Sequence, residues 1–293
     1  MTYNELLKNA ISILSEAGVI DADIDARYIL FEVFDIDRGY LLSHGADEVD
    51  ITSNKEVNLI DKFNEYIDLR AKRIPLQHIL GYQDFMNLKF KVDENVLIPR
   101  YDTEILVEEV LKELHDGMRI MDMCTGSGCI LTSLLYYSND TYGLGVDINE
   151  KSLDIARENS LYLLNDKDDI KFSYVNSDMF KDLDNDILNS FDIIVSNPPY
   201  IETNVIDTLD IEVKDHDPLI ALDGGLDGLT FYKIIAKNAP LYLKKGGMLF
   251  LEIGYNQFKE VSKLLIDAGF IDIECIKDYA GLDRVIKAQF PVV

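Results

Sequence analysis

From residue 119 onward, short apolar runs alternate with stretches of helical periodicity, and this alternation narrows the possible folds more than any other feature of the chain. Runs at Arg119–Met123, Gly143–Asp147, Ile170–Val175, Phe191–Ser196, Met248–Ile253, Phe270–Ile276 and Arg284–Gln289 read as strands. Helical patterns fit between most of them, as at Lys151–Asn159 and Gln257–Ala268. Strands that are apolar throughout are buried on both faces, the condition of a mostly parallel sheet with helices on each side. Only a loop around Gly281 separates the last two strands, too little for a crossover helix, so they are expected to pair antiparallel. The expected fold is α/β, with a doubly wound, mostly parallel seven-stranded sheet whose last strand is antiparallel.

The first 75 residues have a different period. In Tyr3–Ala17 the positions Leu6, Leu7, Ala10, Ile13 and Leu14 fall on one helical face, with Gly18 as a stop. Asp23 or Asp25 can cap a second helix carrying Ile29, Leu30, Val33 and Phe34. A short piece around Tyr40–Leu42 follows, and then a helix from Asn54 to about Arg73 that Pro75 ends. Phe85, Leu88, Phe90 and Val92, with a turn at Met86-Asn87, suggest a β-hairpin. Asp102 or Thr103 is placed to cap a helix running from Glu104 to about His115. The chain thus divides into a helical domain at 1–75, a hairpin linker at 76–98 and an α/β domain at 99–293.

Charge excludes some functions. Among 293 residues, 28 basic against 53 acidic side chains give a net charge of −25, and such a surface repels phosphate polymers. The basic clusters Arg70, Lys72, Arg73 and Lys244, Lys245 do not make a nucleic-acid groove. No apolar run approaches the roughly 18–20 residues that span a bilayer, and residues 1–5 lack the layout of a signal peptide. Three cysteines, Cys124, Cys129 and Cys275, have no metal-site spacing. A reduced, cytoplasmic, metal-free, monomeric protein without membrane or direct nucleic-acid partners is expected.

Two segments carry chemistry. The first, Asp122-Met123-Cys124-Thr125-Gly126-Ser127-Gly128-Cys129, follows the first sheet strand and opens a helix. Gly126 and Gly128 permit a sharp turn and close approach of a ligand to backbone N–H groups. Asp147 ends the second strand nineteen residues beyond Gly128, where a carboxylate can accept both hydroxyls of a ribose. A purely structural turn and a nucleotide dehydrogenase share these features. The dehydrogenase pattern, however, requires a small residue where Leu131 stands, and no Walker lysine follows.

The second segment, Phe191-Asp192-Ile193-Ile194-Val195-Ser196-Asn197-Pro198-Pro199-Tyr200, delivers Asn197 to the carboxyl edge of the same sheet. Pro198 and Pro199 supply no N–H, so acceptors dominate, and Tyr200 adds a flat apolar face. Such a ring suits a planar –NH₂ group. Together the two segments describe an adenosine-type cofactor beside a planar nitrogen, and methyl transfer from S-adenosyl-L-methionine joins them. Catalysis would rest on aiming the nitrogen lone pair and on accepting its N–H bonds as positive charge develops.

The sequence resembles the bacterial peptide chain release factor glutamine methyltransferases, the HemK/PrmC family, over nearly its whole length. The resemblance is carried by Arg73–Gly81, Val96–Glu104, Thr125–Gly128, Asn197–Tyr200, Ala221–Gly225 with Asp227–Leu229, Leu251–Gly254 and Gly281–Val285. It implies a Rossmann-like class I methyltransferase domain that methylates N5 of the glutamine in the Gly-Gly-Gln motif of class I release factors, with S-adenosyl-L-homocysteine as product. By position it places Cys124, Thr125, Gly126, Ser127, Gly128, Asp147, Asp178, Met179 and Asn197 at the cofactor. It places Asn197, Pro198, Pro199 and Tyr200 at the glutamine amide, and gives the helical domain a part in docking the release factor. A sister activity on a ribosomal-protein glutamine fits the stretch Asp102-Thr103-Glu104 less well, and adenine-N6 DNA methylation conflicts with the charge. Three positions depart from the family pattern. Cys124 replaces a usual Gly and is expected in the β region, Met179 replaces a frequent aromatic, and Tyr101 replaces a Pro. Arg100 could reach the site, whereas Asp102, Glu104, Glu252, Cys129 and Cys275 are read as structural and His216 receives no role.

Overall fold

In the first helix Thr2 caps the backbone of Glu5 while the Glu5 side chain returns to the Thr2 N–H, a reciprocal box that starts α1 (Tyr3–Glu16). The structure, a computed structural model, describes residues 1–49, 54–167 and 169–292, with residues 54–56 in backbone alone. It divides into two units, one made of Met1–Gly81 with Asp210–His216 and the other of the remainder.

In the first unit α1 is followed by α2 (Ala22–Phe34), α3 (Arg38–His44), α4 (Asn54–Ala71) and α5 (Leu76–Leu80). Leu6, Leu7, Ala10 and Leu14 pack against Ala26, Ile29, Leu30, Phe63 and Ile67, each burial favouring the folded state by about 1.5–3 kcal/mol for the larger side chains. Ile13, expected on that face, is 44% exposed. Neither Asp23 nor Asp25 caps α2, which already begins at Ala22 with Asp21 before it. Asp23 instead pairs with Arg27 one turn on, and Asp25 is buried against Arg70 at 2.6 Å. The α4 helix stops at Ala71, two residues short of expectation, because Arg73 turns to φ 66° before Pro75 leads into α5.

The second unit opens with β1 (Tyr82–Phe85) and β2 (Leu88–Lys91), paired antiparallel and closed by Phe85 opposite Leu88. Met86 and Asn87 both have positive φ, the two-residue turn that matches the twist of a hairpin. Next come α6 (Asp102–Glu113), β3 (Arg119–Met123), α7 (Cys129–Tyr136), β4 (Tyr142–Asp147), α8 (Glu150–Leu163), β5 (Lys171–Asn176) and β6 (Phe191–Ser196). The short α9 (Ile211–Lys214) belongs to the first unit. Then follow α10 (Leu219–Leu222), α11 (Thr230–Tyr242), β7 (Leu243–Glu252), α12 (Phe258–Asp267), β8 (Ile271–Lys277) and β9 (Asp283–Gln289). Since α6 begins at Asp102, Asp102 and Thr103 sit inside its first turn rather than at its cap.

Seven strands form one sheet in the order β5-β4-β3-β6-β7-β9-β8, with β9 antiparallel to both neighbours and the other pairings parallel. The two-residue period of the strands divides the core. Met121, Met123, Ile194, Leu249 and Leu251 face Tyr232, Ile235, Val261 and Leu265 of α11 and α12. Their neighbours Ile120, Ile193, Val195 and Phe250 face Leu106 and Val110 of α6 and Leu131 and Leu134 of α7. This two-sided burial keeps the central positions of those strands apolar, as at Ile193–Val195 and Leu249–Leu251, with the buried Asp122 of β3 an exception. The parallel strands β3, β4 and β6 therefore end at one edge of the sheet, carrying Met123, Asp147 and Ser196 there together.

Candidate active site

The turn after β3 is set by three backbone contacts. Thr125 N–H reaches Val146 O at 3.0 Å, Gly128 N–H reaches Thr125 O at 2.9 Å, and Gly126 N–H reaches Asp147 Oδ2 at 2.9 Å. Gly126 has φ +54°, and a Cβ there would meet open space, so the turn presents bare backbone to the cavity. Cys124 is not in the β region as expected but at φ +62°. The reversal needed to bring Thr125 and Gly126 onto β4 forces this left-handed backbone, and it sets Cys124 Sγ 3.6 Å from Met179 Sδ. Met179 is itself left-handed, at φ +56°, and buried.

Beneath the turn, Asp122 is fully buried and accepts the Thr125 hydroxyl at 2.6 Å. Burial pushes its carboxyl up to about 7 against the pull of that hydroxyl and of the Leu131 N–H. Burial likewise raises the Asp147 carboxyl, opposed by backbone N–H groups. Asn149 N–H donates to Asp147 Oδ1 at 2.9 Å, so each oxygen is anchored once and keeps acceptor capacity.

At the end of β6, Ser196 Oγ donates to Met123 O at 2.6 Å and locks the strand against β3. Asn197 Nδ2 donates to Thr103 Oγ1 at 3.3 Å, and the Tyr200 hydroxyl donates to Glu252 Oε1 at 3.2 Å. Residues 222–228 back this segment closely. A Cβ at Gly224 would lie 2.8 Å from the Tyr200 backbone, and Gln257 Nε2 donates to Tyr200 O at 3.0 Å. Glu252 is buried, and burial lifts its carboxyl to about 6 despite the Thr103 hydroxyl, the Arg284 charge and the Tyr200 hydroxyl.

One cavity of about 180 Å³ opens at this sheet edge. Of the residues expected at the site, Cys124, Gly126, Asp147, Asp178, Met179, Asn197 and Pro199 line it. Thr125, Ser127, Gly128, Pro198 and Tyr200 do not. The first three build the turn from behind, and the Tyr200 ring is held toward Glu252. Arg100 does not line the cavity either. It is bound at 2.5 Å to the buried Asp217, beside the lining residue Pro218. Phe231, Ile220 and the Asn95–Leu97 segment complete the walls and went unassigned in the sequence. Phe231 reads there as an ordinary apolar helix position, whereas Val96, Leu97 and Ala221 lie in segments that carry the family resemblance.

Numbered along the sheet alone, the strand order is 3-2-1-4-5-7-6 with only the seventh reversed, and this is the fold of the class I methyltransferases. The methyltransferase small domain family matches residues 100–212, and the PrmC N-terminal domain family matches residues 5–81. A release factor glutamine methyltransferase from Clostridium botulinum is 39% identical over 99% of this chain and 99% of its own length. One from Fusobacterium nucleatum is 41% identical, covering 97% of this chain and 78% of that protein. Among solved structures, a methyltransferase from Pyrococcus furiosus superposes with a TM-score of 0.52 at 17% identity, over 71% of this chain and 91% of that one, and shares the fold. The chain belongs to the release factor glutamine methyltransferase family.

Proposed function

We propose that the protein uses S-adenosyl-L-methionine to methylate the side-chain amide nitrogen, N5, of the glutamine in the Gly-Gly-Gln motif of class I release factors. The observation that carries the reading is that Asp147, the bare turn at Gly126, Asn197 and Pro199 all face one cavity. The relatives from C. botulinum and F. nucleatum are named release factor glutamine methyltransferases, which supports the substrate class.

The residues present suit a nucleoside cofactor. Asp147 keeps acceptor capacity for ribose hydroxyls, and Gly126 leaves space for a ligand against its backbone. Met179 and Phe231 offer apolar surface for a base, with Asp178 beside them as a polar acceptor. When bound, the cofactor supplies a sulfonium-activated methyl group, so the chain need not provide a nucleophile of its own.

The chain's task is to make a poor nucleophile reactive. An amide nitrogen shares its lone pair with the adjacent carbonyl. Asn197 Oδ1, accepting one N–H, polarises the nitrogen and favours the positive charge that grows on it as the new bond forms. Pro198 and Pro199 present no N–H that would compete for the lone pair. Holding the nitrogen in line with the methyl group converts an encounter into a positioned reaction. A cytoplasmic location accompanies this reading, because release factors act at ribosomes.

Incubation with isotopically labelled S-adenosyl-L-methionine and an unmethylated release factor, followed by mass spectrometry of the Gly-Gly-Gln peptide, tests it. A single methyl group on that glutamine is expected. Absence of label with folded protein and bound cofactor overturns the reading.

A further inference from the structure

Asn197 can present an acceptor to a substrate only if its own amide nitrogen is turned away, because the two ends of the amide are alike in size and differ in hydrogen-bonding sense. Thr103 does this. Its Oγ1 accepts Asn197 Nδ2 at 3.3 Å, and it is 2% exposed in the first turn of α6. A hydroxyl has a single hydrogen, so a buried hydroxyl oxygen that accepts from Asn197 must commit that hydrogen elsewhere. Glu252, at the end of β7, is also 2% exposed, and the Thr103 hydroxyl draws its carboxyl down against the effect of burial. An ionised carboxyl can only accept. Tyr200 donates to Glu252 Oε1 at 3.2 Å, and the Thr103 hydroxyl stabilises the charged carboxylate without closing a well-formed bond to Oε2.

We propose, on the functional reading above, that Thr103 and Glu252 are positioning residues for methyl transfer. Glu252 takes the hydroxyl hydrogens of Thr103 and Tyr200, the Thr103 oxygen then accepts from Asn197 Nδ2, and Asn197 Oδ1 is left facing the substrate amide. The polarity of this relay depends on Glu252 being ionised. A protonated Glu252 becomes a donor, the Thr103 hydroxyl can turn, and the Asn197 amide loses its fixed sense. The groups facing Glu252 are Arg284, paired with Asp102 at 3.2 Å and Asp278 at 3.0 Å, the hydroxyls of Tyr200 and Tyr232, and the Cys129 thiol. Burial pushes that thiol up to about 12, and burial raises both phenols well above neutrality, so only Glu252 among these changes charge near pH 6.

The test compares wild type with Thr103→Ser, Thr103→Val and Glu252→Gln for methyl transfer to an unmethylated release factor, with calorimetry of S-adenosyl-L-methionine binding. Thr103→Ser keeps the hydroxyl and is expected within about 3-fold of wild-type kcat, whereas Thr103→Val and Glu252→Gln lose about 10²-fold in kcat. Cofactor Kd is expected to stay within a few-fold in all three. The wild-type kcat profile should fall below pH about 6, and that limb should vanish in Glu252→Gln. If Thr103→Val does not fold, Glu252→Gln and the wild-type pH profile decide. An active wild type whose Thr103→Val or Glu252→Gln variant turns over normally overturns the relay alone. A wild type that transfers no methyl group overturns the functional reading and the relay with it.

Discussion

The Gly126 N–H donates to Asp147 Oδ2 at 2.9 Å and so ties the turn after β3 to the end of the adjacent strand β4. With Asn149 N–H on Oδ1, the carboxylate is held in one orientation by backbone alone and needs no side-chain partner to aim it. A ligand meets a preset pair of acceptors, and little ordering remains to be done on binding.

Asp147→Ala removes both acceptors and frees the Gly126 N–H. Hydrogen bonds to a charged group contribute about 1.5–3 kcal/mol each, so affinity for S-adenosyl-L-methionine is expected to fall about 10–100-fold or more. Titration calorimetry measures it directly. An unchanged Kd would show that the ribose lies elsewhere.

Asn197→Ala should separate binding from chemistry. The side chain lines the cavity but its nitrogen is committed to Thr103, so its loss removes an acceptor from the reacting amide rather than a support for the cofactor. Cofactor affinity is expected to change little while kcat drops about 10²–10³-fold, as for loss of one transition-state hydrogen bond. Near-normal turnover by this variant would remove Asn197 from the mechanism.

The sheet was legible because its strands are buried on both faces, which leaves short apolar runs such as Ile193–Val195 and Met248–Leu251. That the Gly126 turn and Asp147 share one sheet edge was legible too, because parallel neighbours β3 and β4 end together and their spacing in the chain is that of one helical crossover, whereas the bond between them was not. Long-range choices were not. Glu212 lies 139 residues from Arg73 and is one of 53 acidic residues, with nothing local to mark it as part of the helical unit. Asp25 reads as a cap by its position, but burial beside Arg70 outweighs local preference. Thr103 reads as a cap for the same reason, and only the fold brings Asn197 onto it.

The left-handed backbone at Cys124 makes a stability prediction. A side chain at φ +62° costs roughly 1–2 kcal/mol, and Gly removes that cost while adding about 0.5–1 kcal/mol of unfolded-chain entropy. Cys124→Gly is therefore expected to leave stability unchanged or slightly raised, despite losing the contact with Met179. Cys124→Val places a β-branched residue in the same conformation and is expected to lower stability by about 1–3 kcal/mol. Chemical denaturation of the three proteins checks it. A Val variant as stable as wild type would show that the turn relaxes at no cost.

Glu212 joins two distant parts of the chain within the first unit. Its Oε1 accepts Arg70 Nη2 at 3.1 Å and Arg73 Nε at 2.6 Å, and its Oε2 accepts Arg73 Nη2 at 2.6 Å. Burial alone would raise its carboxyl, but the bonds from Arg73 and Arg70 hold it down to about 2 against an ordinary 4.5. A carboxyl depressed in the folded state binds its proton more readily when unfolded, so its contribution is complete above about pH 4.5 and is lost as pH falls toward 2. Glu212→Gln should destabilise by about 1–3 kcal/mol at pH 7, where two arginines lose a charged acceptor. It should also show a shallower loss of stability than wild type on acidification below pH 4.5. The neighbouring Asp25, raised by burial in spite of Arg70, is present in both proteins, and comparing them isolates the Glu212 contribution. Thermal unfolding followed by far-UV circular dichroism from pH 7 to pH 3 gives both quantities, and parallel pH profiles for the two proteins would refute the assignment.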